Sequence, residues 1–311
     1  MKRFIATTDR KRAANGFIVV AVLWILAALA TLASIYAIYV ANSVTAARIH
    51  DDRIQAQGLF SAALDLTAYQ LQAVSEENRP TRGVFNFRLG DANVAVEFGS
   101  ETARIDLNSA PKELLAGLFI ALGAPRANAD DQAERIIGWR TPAGEDSKEA
   151  EAYRVAGLTY GPRGAPFAHV GELWLVLGLP RQFVERAIPY LTVFSGQGGI
   201  DVLNAAPLVV AALPGMDPER LNAILSQRAV SRRDGQAVMR LLGAAAQSMM
   251  TTEVGKAVRV TVQADLANGR RVVATAVILM LIGVDEPFRV LSWTDSTDGS
   301  TLDELPKTAL R

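Results

Sequence analysis

The first break in the pattern of polar and apolar positions comes at Asn15. From there to Ser43 the chain reads NGFIVVAVLWILAALATLASIYAIYVANS, without Asp, Glu, Lys or Arg. The 23 residues from Phe17 to Tyr39 make a helix of about 35 Å at about 1.5 Å per residue, enough for a hydrocarbon core of about 30 Å. A secretory signal's apolar core is usually about 7–15 residues, so a cut near Val40-Ala41 is the weaker alternative. Past Ser43 the pattern turns amphipathic. Phe60, Leu64, Leu71 and Val74 fall at helical spacing with Thr67 in the stripe, and residues 43–78 hold no proline and a single glycine. One helix is predicted from Phe17 to about Asn78, ended by Arg79-Pro80, and about 90 Å long. Its first half suits lipid and its second half a stalk.

The period then changes from helical to alternating. VFNFRL and NVAVEF flank the turn signal GDAN and read as a β-hairpin. Near the C-terminus KAVRVTVQADLANGRRVVATAVILMLIG gives two strands around Asn268-Gly269, a strong hairpin turn. PFRVLSW reads as a last strand, and residues 294–311 as a polar tail. Between the strand groups lie the 150 residues from Ile105 to Val254, mostly helical in pattern. They carry a loose repeat, RIDLNSAPKELLAGLFIALG against GIDVLNAAPLVVAALPGM. In each copy Asn-x-Ala-Pro is expected to start a helix, with Asn108 or Asn204 as cap and Pro111 or Pro207 in the first turn. The expected class is α+β: a long N-terminal helix, then one antiparallel sheet interrupted by a helical insertion. Two separate β modules would bury less. The boundaries are 1–16 leader, 17–80 helix, 81–104 with 255–293 sheet, 105–254 insertion and 294–311 tail.

Charge and rare residues narrow the function. Residues 1–16 carry a net +4, and the remainder a net −4. The basic leader is expected to stay on the cytoplasmic side, with everything after about residue 42 outside. Hydrophobic residues make up 50% and charged ones 21%, a balance that supports a packed core and excludes wholesale disorder. The absence of cysteine excludes disulfide scaffolds and thiolate chemistry. Two histidines, His50 and His169, are too few for a His-based metal site, and Asp, Glu and Ser form no recognisable catalytic spacing. His169, just before GELWLVLG, suits a surface or capping role, and His50 a solvated one. The expectation is a protein that is not an enzyme.

A basic leader ending in Gly16, then Phe17 and a long apolar helix, resembles the leader of type IV pilins and type II secretion pseudopilins. The resemblance implies that a prepilin peptidase cuts between Gly16 and Phe17 and methylates Phe17. Most of that family carries Glu at the fifth mature position; here it is Ala21. An apolar residue there, with IDLNSAP, FAHVGELWLVLGLPRQFVERAIPYLTVFSG, IDVLNAAP and FRVLSW, is similar to the general secretion pathway protein K family. That likeness implies a pseudopilin sheet broken by a large helical domain, of the SAM-like, helix-hairpin-helix kind. It also implies a minor pseudopilin in the inner membrane with a periplasmic head, initiating or capping the pseudopilus and supporting export of folded proteins. The implied partners are the I- and J-type minor pseudopilins, the major pseudopilin, the peptidase and the inner-membrane platform. Ala21 lacks the carboxylate that would pair with a neighbour's N-terminal ammonium, which suits an end position.

Two short motifs offer other chemistry. LPGMDPERLNAILSQR looks like a helix-hairpin-helix, which in a membrane-anchored protein would make a DNA-uptake receptor. Asp217 repels phosphate, Pro218 lacks an N–H, and residues 105–254 carry a net −2, so nucleic acid is not an expected partner. GEDSKEAEAY offers Glu145, Asp146, Glu149 and Glu151 as hard oxygen ligands for Ca²⁺. Calcium also occurs in the family resembled, but the preceding GWRTPAG lacks its Asp-rich run. A solvated acidic loop is the blander reading there.

Overall fold

The computed structural model describes residues 10–142, 148–230, 235–281 and 286–296. The chain divides into two compact units, one ending at Leu59 and one beginning at Phe60, and helix α1 (Arg10–Gln72) contributes to both. In the first unit α1 is long and apolar enough to cross a membrane. Phe17, Trp24, Leu32 and Tyr39 all lie exposed along it. The hydroxyls of Thr31, Ser34 and Ser43 donate to carbonyls one turn back, at 2.7, 2.8 and 2.8 Å. No donor on these side chains is therefore left bare to an apolar medium.

In the second unit, Phe60, Ala63, Leu64, Thr67, Ala68 and Leu71 of α1 form a buried stripe at three- and four-residue spacing. Thr67, its polar member, donates to the Ala63 carbonyl at 2.7 Å. The helix stops at Gln72, short of the expected Asn78. Arg79 accounts for this: the chain turns back and the buried Arg79 donates its Nε to the Leu71 carbonyl at 2.8 Å, satisfying an end-of-helix acceptor. Residues Glu76–Asn78 form only one 3-10 turn, and Val74 lies beyond the helix, half-buried.

The strands are β1 (Arg82–Leu89), β2 (Ala92–Ser100), the two-residue β3 (Ile105–Asp106) and β4 (Leu191–Thr192), then β5 (Ala257–Asp265), β6 (Arg271–Met280) and β7 (Phe288–Ser296). One five-stranded sheet runs β1-β2-β5-β6-β7, antiparallel throughout. Strand β2 pairs directly with β5, Val96 opposite Val262. The sequence between them thus leaves and re-enters a single sheet, and the two-module alternative falls. Gly90 and Gly269 take φ of +60° and +80° in the hairpin turns, where an L side chain is strained. Strand β7 continues to Ser296, so residues 294–296, expected in the polar tail, are paired in the sheet; the rest of the tail lies outside the described residues. Its Trp293 meets Phe60 edge-on, ring centroids 5.8 Å apart.

The insertion holds α2 (Lys112–Ala121), α3 (Arg126–Arg140), α4 (Lys148–Val155), α5 (Arg181–Ala187), α6 (Pro207–Ala211), α7 (Pro218–Val230), α8 (Gly235–Leu241) and α9 (Ala244–Gln247). Leu114, Leu118, Ile136, Leu173 and Ile200 are fully buried in one core, and Tyr153 is the largest fully buried side chain among the described residues. Trp139 packs on Tyr153 and Phe167, at 6.1 and 6.2 Å between centroids. The Tyr153 hydroxyl accepts the Leu177 N–H at 2.8 Å, so the buried ring leaves its oxygen partnered.

Candidate functional site

Each copy of the loose repeat begins with a buried isoleucine in a parallel bridge, Ile105 opposite Leu191 and Ile200 opposite Met250. The aspartate that follows organises the turn. Asp106 Oδ1 accepts the Asn108 N–H at 2.7 Å, and its carbonyl accepts the Ala110 N–H at 2.8 Å. Asp201 does the same with Leu203 at 3.0 Å and Ala205 at 2.8 Å. These are Asx turns, in which a carboxylate stands in for a backbone acceptor. The helix caps are Pro111 and Ala206, and neither makes a side-chain cap bond.

The expected caps Asn108 and Asn204 are therefore corrected. Asn108 clamps a distant strand of chain instead: its Nδ2 donates to the Phe167 carbonyl at 3.0 Å and its Oδ1 accepts the Phe167 N–H at 2.6 Å. Asn204 Nδ2 donates to Thr81 Oγ1 and to Asp201 Oδ2, both at 2.7 Å. Pro111 is a cap and only Pro207 sits in a first turn. Aligning on Asn-x-Ala-Pro shifts the copies by one residue against their common aspartate, because the side chain that shapes the turn is the aspartate.

Gly16 and Phe17 both lie within α1, Phe17 with 75% of its surface exposed, and Ala21 is partly covered. Residues 1–9 lie outside the described residues, as do Glu145 and Asp146. Glu149 lies against Gly138 of α3, its Oε1 buried without a hydrogen-bond partner among the described residues. Burial raises its pKa. Glu151 pairs with Arg154 at the surface. Among the described residues, no three His, Cys, Asp or Glu side chains converge on a common point. His169 caps the 3-10 helix Val170–Leu175, its Nδ1 accepting the Gly171 N–H at 2.9 Å. In the helix-hairpin-helix stretch, Asp217 Oδ1 accepts the Arg220 N–H at 2.7 Å, and Arg220 Nη1 donates to the Gly215 carbonyl at 2.5 Å. The hairpin's own charged groups close it on itself.

Two features had no signal in the sequence pattern. Glu101 is fully buried and binds Arg259 through both oxygens, at 2.7 and 3.1 Å, while Thr192 donates its hydroxyl to Oε2. Arg104 stands 3.7 Å away on the same carboxylate, and its pKa is lowered to about 10 by burial first and by Arg259 second. Beside this cluster opens a groove of about 460 Å³ whose lining includes Arg82, Phe98, Arg104, Tyr190, Val209 and Arg259. These residues are scattered from position 82 to 259, and no spacing rule joins them.

Residues 90–196 match the family model for protein K of the type II secretion system. Among solved structures, the fold is similar to a chain of the GspK-GspI-GspJ complex from the enterotoxigenic Escherichia coli type 2 secretion system. The TM-score is 0.56 at 17% identity, covering 81% of this chain and 99% of that one. A comparison with curated protein sequences gives no match.

Proposed function

We propose that the chain, whose residues 90–196 match the family model for protein K of the type II secretion system, is a minor pseudopilin whose role is assembly rather than catalysis. The observation that carries this reading is α1. Its segment from Phe17 onward is apolar, exposed and long enough to cross a bilayer, and its fifth residue after the Gly16-Phe17 junction is Ala21. In the precursor this segment anchors the protein in the inner membrane with the leader inside and the head in the periplasm. After a prepilin peptidase cuts between Gly16 and Phe17, the same apolar surface packs into the pseudopilus. Without a carboxylate at Ala21 the subunit cannot pair with a neighbour's N-terminal ammonium, so it sits at the tip, beside I- and J-type minor pseudopilins. The solved complex of GspK with GspI and GspJ supports that choice of partners.

Mass spectrometry of the mature N-terminus tests the reading. A chain beginning at methylated Phe17 is expected; one beginning near Asn42, or an uncut chain, overturns it. Calcium is proposed at Glu145, Asp146, Glu149 and Glu151, with the unpartnered Glu149 Oε1 as the observation in its support. Calorimetric titration with calcium chloride should give heat that Glu149→Gln diminishes. No heat with the native chain removes the site.

A further inference from the structure

The hollow between the sheet and the inserted helices is lined by more guanidinium groups than the carboxylates around them can hold. Arg82, Arg104 and Arg259 line the chamber of about 460 Å³, where Glu97, itself exposed, is the carboxylate among the lining residues. Arg82 and Asn204 also line a second chamber of about 190 Å³, together with Arg228, so the two adjoin.

Two of the carboxylates nearby are already committed, and the third, Glu97, is exposed. Glu101 is taken by Arg259 and Thr192, with Arg104 at 3.7 Å. Asp201 accepts the Leu203 amide at 3.0 Å and the Asn204 side chain at 2.7 Å. Arg228 Nη2 donates to the Ala205 carbonyl at 2.9 Å, but its Nη1 is buried and has no hydrogen-bond partner among the described residues. The Arg82 side chain is exposed and makes no hydrogen bond or ion pair with another side chain among the described residues. Desolvation lowers the pKa of Arg228; Asp201 opposes this, and Arg82 adds to the lowering.

The dimensions select among anions. The larger chamber falls within the roughly 300–1,000 Å³ of ordinary ligand pockets, far more than one inorganic oxyanion fills. Its walls mix the guanidinium groups with Phe98, Pro189, Tyr190 and Val209, which suit the aliphatic stems of side chains. Guanidinium forks pair with carboxylates two bonds at a time. Two adjoining chambers with cations in each fit successive carboxylates on an extended chain. We propose that this groove binds an acidic peptide segment of a partner protein, its Asp and Glu carboxylates seated on Arg82 and Arg228.

Fluorescence anisotropy tests this, with the full chain in neutral detergent and a fluorescein-labelled, acetylated peptide of alternating aspartate and glutamate. Saturable binding that weakens with added salt is expected. Arg82→Glu should weaken it about tenfold or more, while Arg88→Glu on the exposed β-hairpin should leave it unchanged. If Arg82→Glu does not fold, Arg228→Gln carries the same expectation. Absence of binding overturns the proposal, and so does equal binding of a lysine peptide. Displacement of the peptide by equimolar inorganic phosphate makes this a small-oxyanion site and overturns the peptide reading. Undiminished binding by both Arg82→Glu and Arg228→Gln places the peptide elsewhere.

Discussion

Burial raises the Glu149 carboxyl from its ordinary 4.5, with Asp131 adding to the rise and Arg135 opposing it. The consequence for stability has a definite sign. Below pH 4.5 the group is protonated in both folded and unfolded chains and contributes nothing. As pH rises past 4.5 the unfolded chain ionises first, and the folded state loses stability until the raised pKa is passed. Glu149→Gln removes that penalty. With chelator present, the variant should melt higher than the native protein at pH 7 and equally at pH 4. A variant that melts lower at pH 7 would mean that the ionised carboxylate has a favourable partner. The neighbouring asparagines carry a different lesson at this scale. Asn108 has the residue type and the position of a helix cap, yet its amide is spent on Phe167, 59 residues away in sequence.

Helix α2 contains Gly117 in its interior, where alanine would ordinarily be preferred by about 1 kcal/mol. A Cβ at Gly117 would fall 1.8 Å from the carbonyl oxygen of Ala212, at the end of α6. The close approach of α2 to α6 therefore reverses the usual sign. Gly117→Ala should destabilise the protein by about 1–3 kcal/mol, the range for overpacking a filled interior. Urea unfolding measures it, and a stabilised variant would refute the contact. Helix α1 shows the same dominance of tertiary partners at its end. Nothing in residues 73–78 forbids helix, but Arg79 takes the Leu71 carbonyl and the chain leaves the helix there.

Across the second unit, the sheet and the insertion are joined through Glu101, which links Arg259 of β5 to Thr192 of β4. Removing one member of a buried ion pair costs roughly 3–5 kcal/mol when the other charge has no access to water. The Arg259 and Arg104 side chains keep 28% and 30% of their surface exposed, so solvent softens the loss. Glu101→Gln should cost about 2–3 kcal/mol. Arg88→Gln, which breaks a pair exposed on both sides, should cost well under about 1 kcal/mol. Paired denaturation curves test the contrast, and equal losses would show that Glu101 joins nothing of consequence.

The five long strands, the apolar helix and the helical insertion were legible because each rests on a local period or a turn signal: alternation in VFNFRL and NVAVEF, glycine at the two hairpin turns, and charge absent from residues 15–43. The repeat was visible too, although its register was set by Asp106 and Asp201 rather than by the asparagines. Such signals work at short range, where a few neighbouring side chains decide backbone dihedrals and one buried face. The Glu101 cluster, the Asn108 clamp, the Gly117 contact and the arginine groove unite residues far apart in the chain. Their partners are chosen by how the insertion packs on the sheet, and charges that are unremarkable singly acquire meaning only when folding brings them within a few ångströms. The amino-acid sequence by itself determined the five long strands, the helical character of the insertion and the membrane-length segment. The tertiary structure alone decided which polar groups are buried together and where a surplus of positive charge faces a cavity.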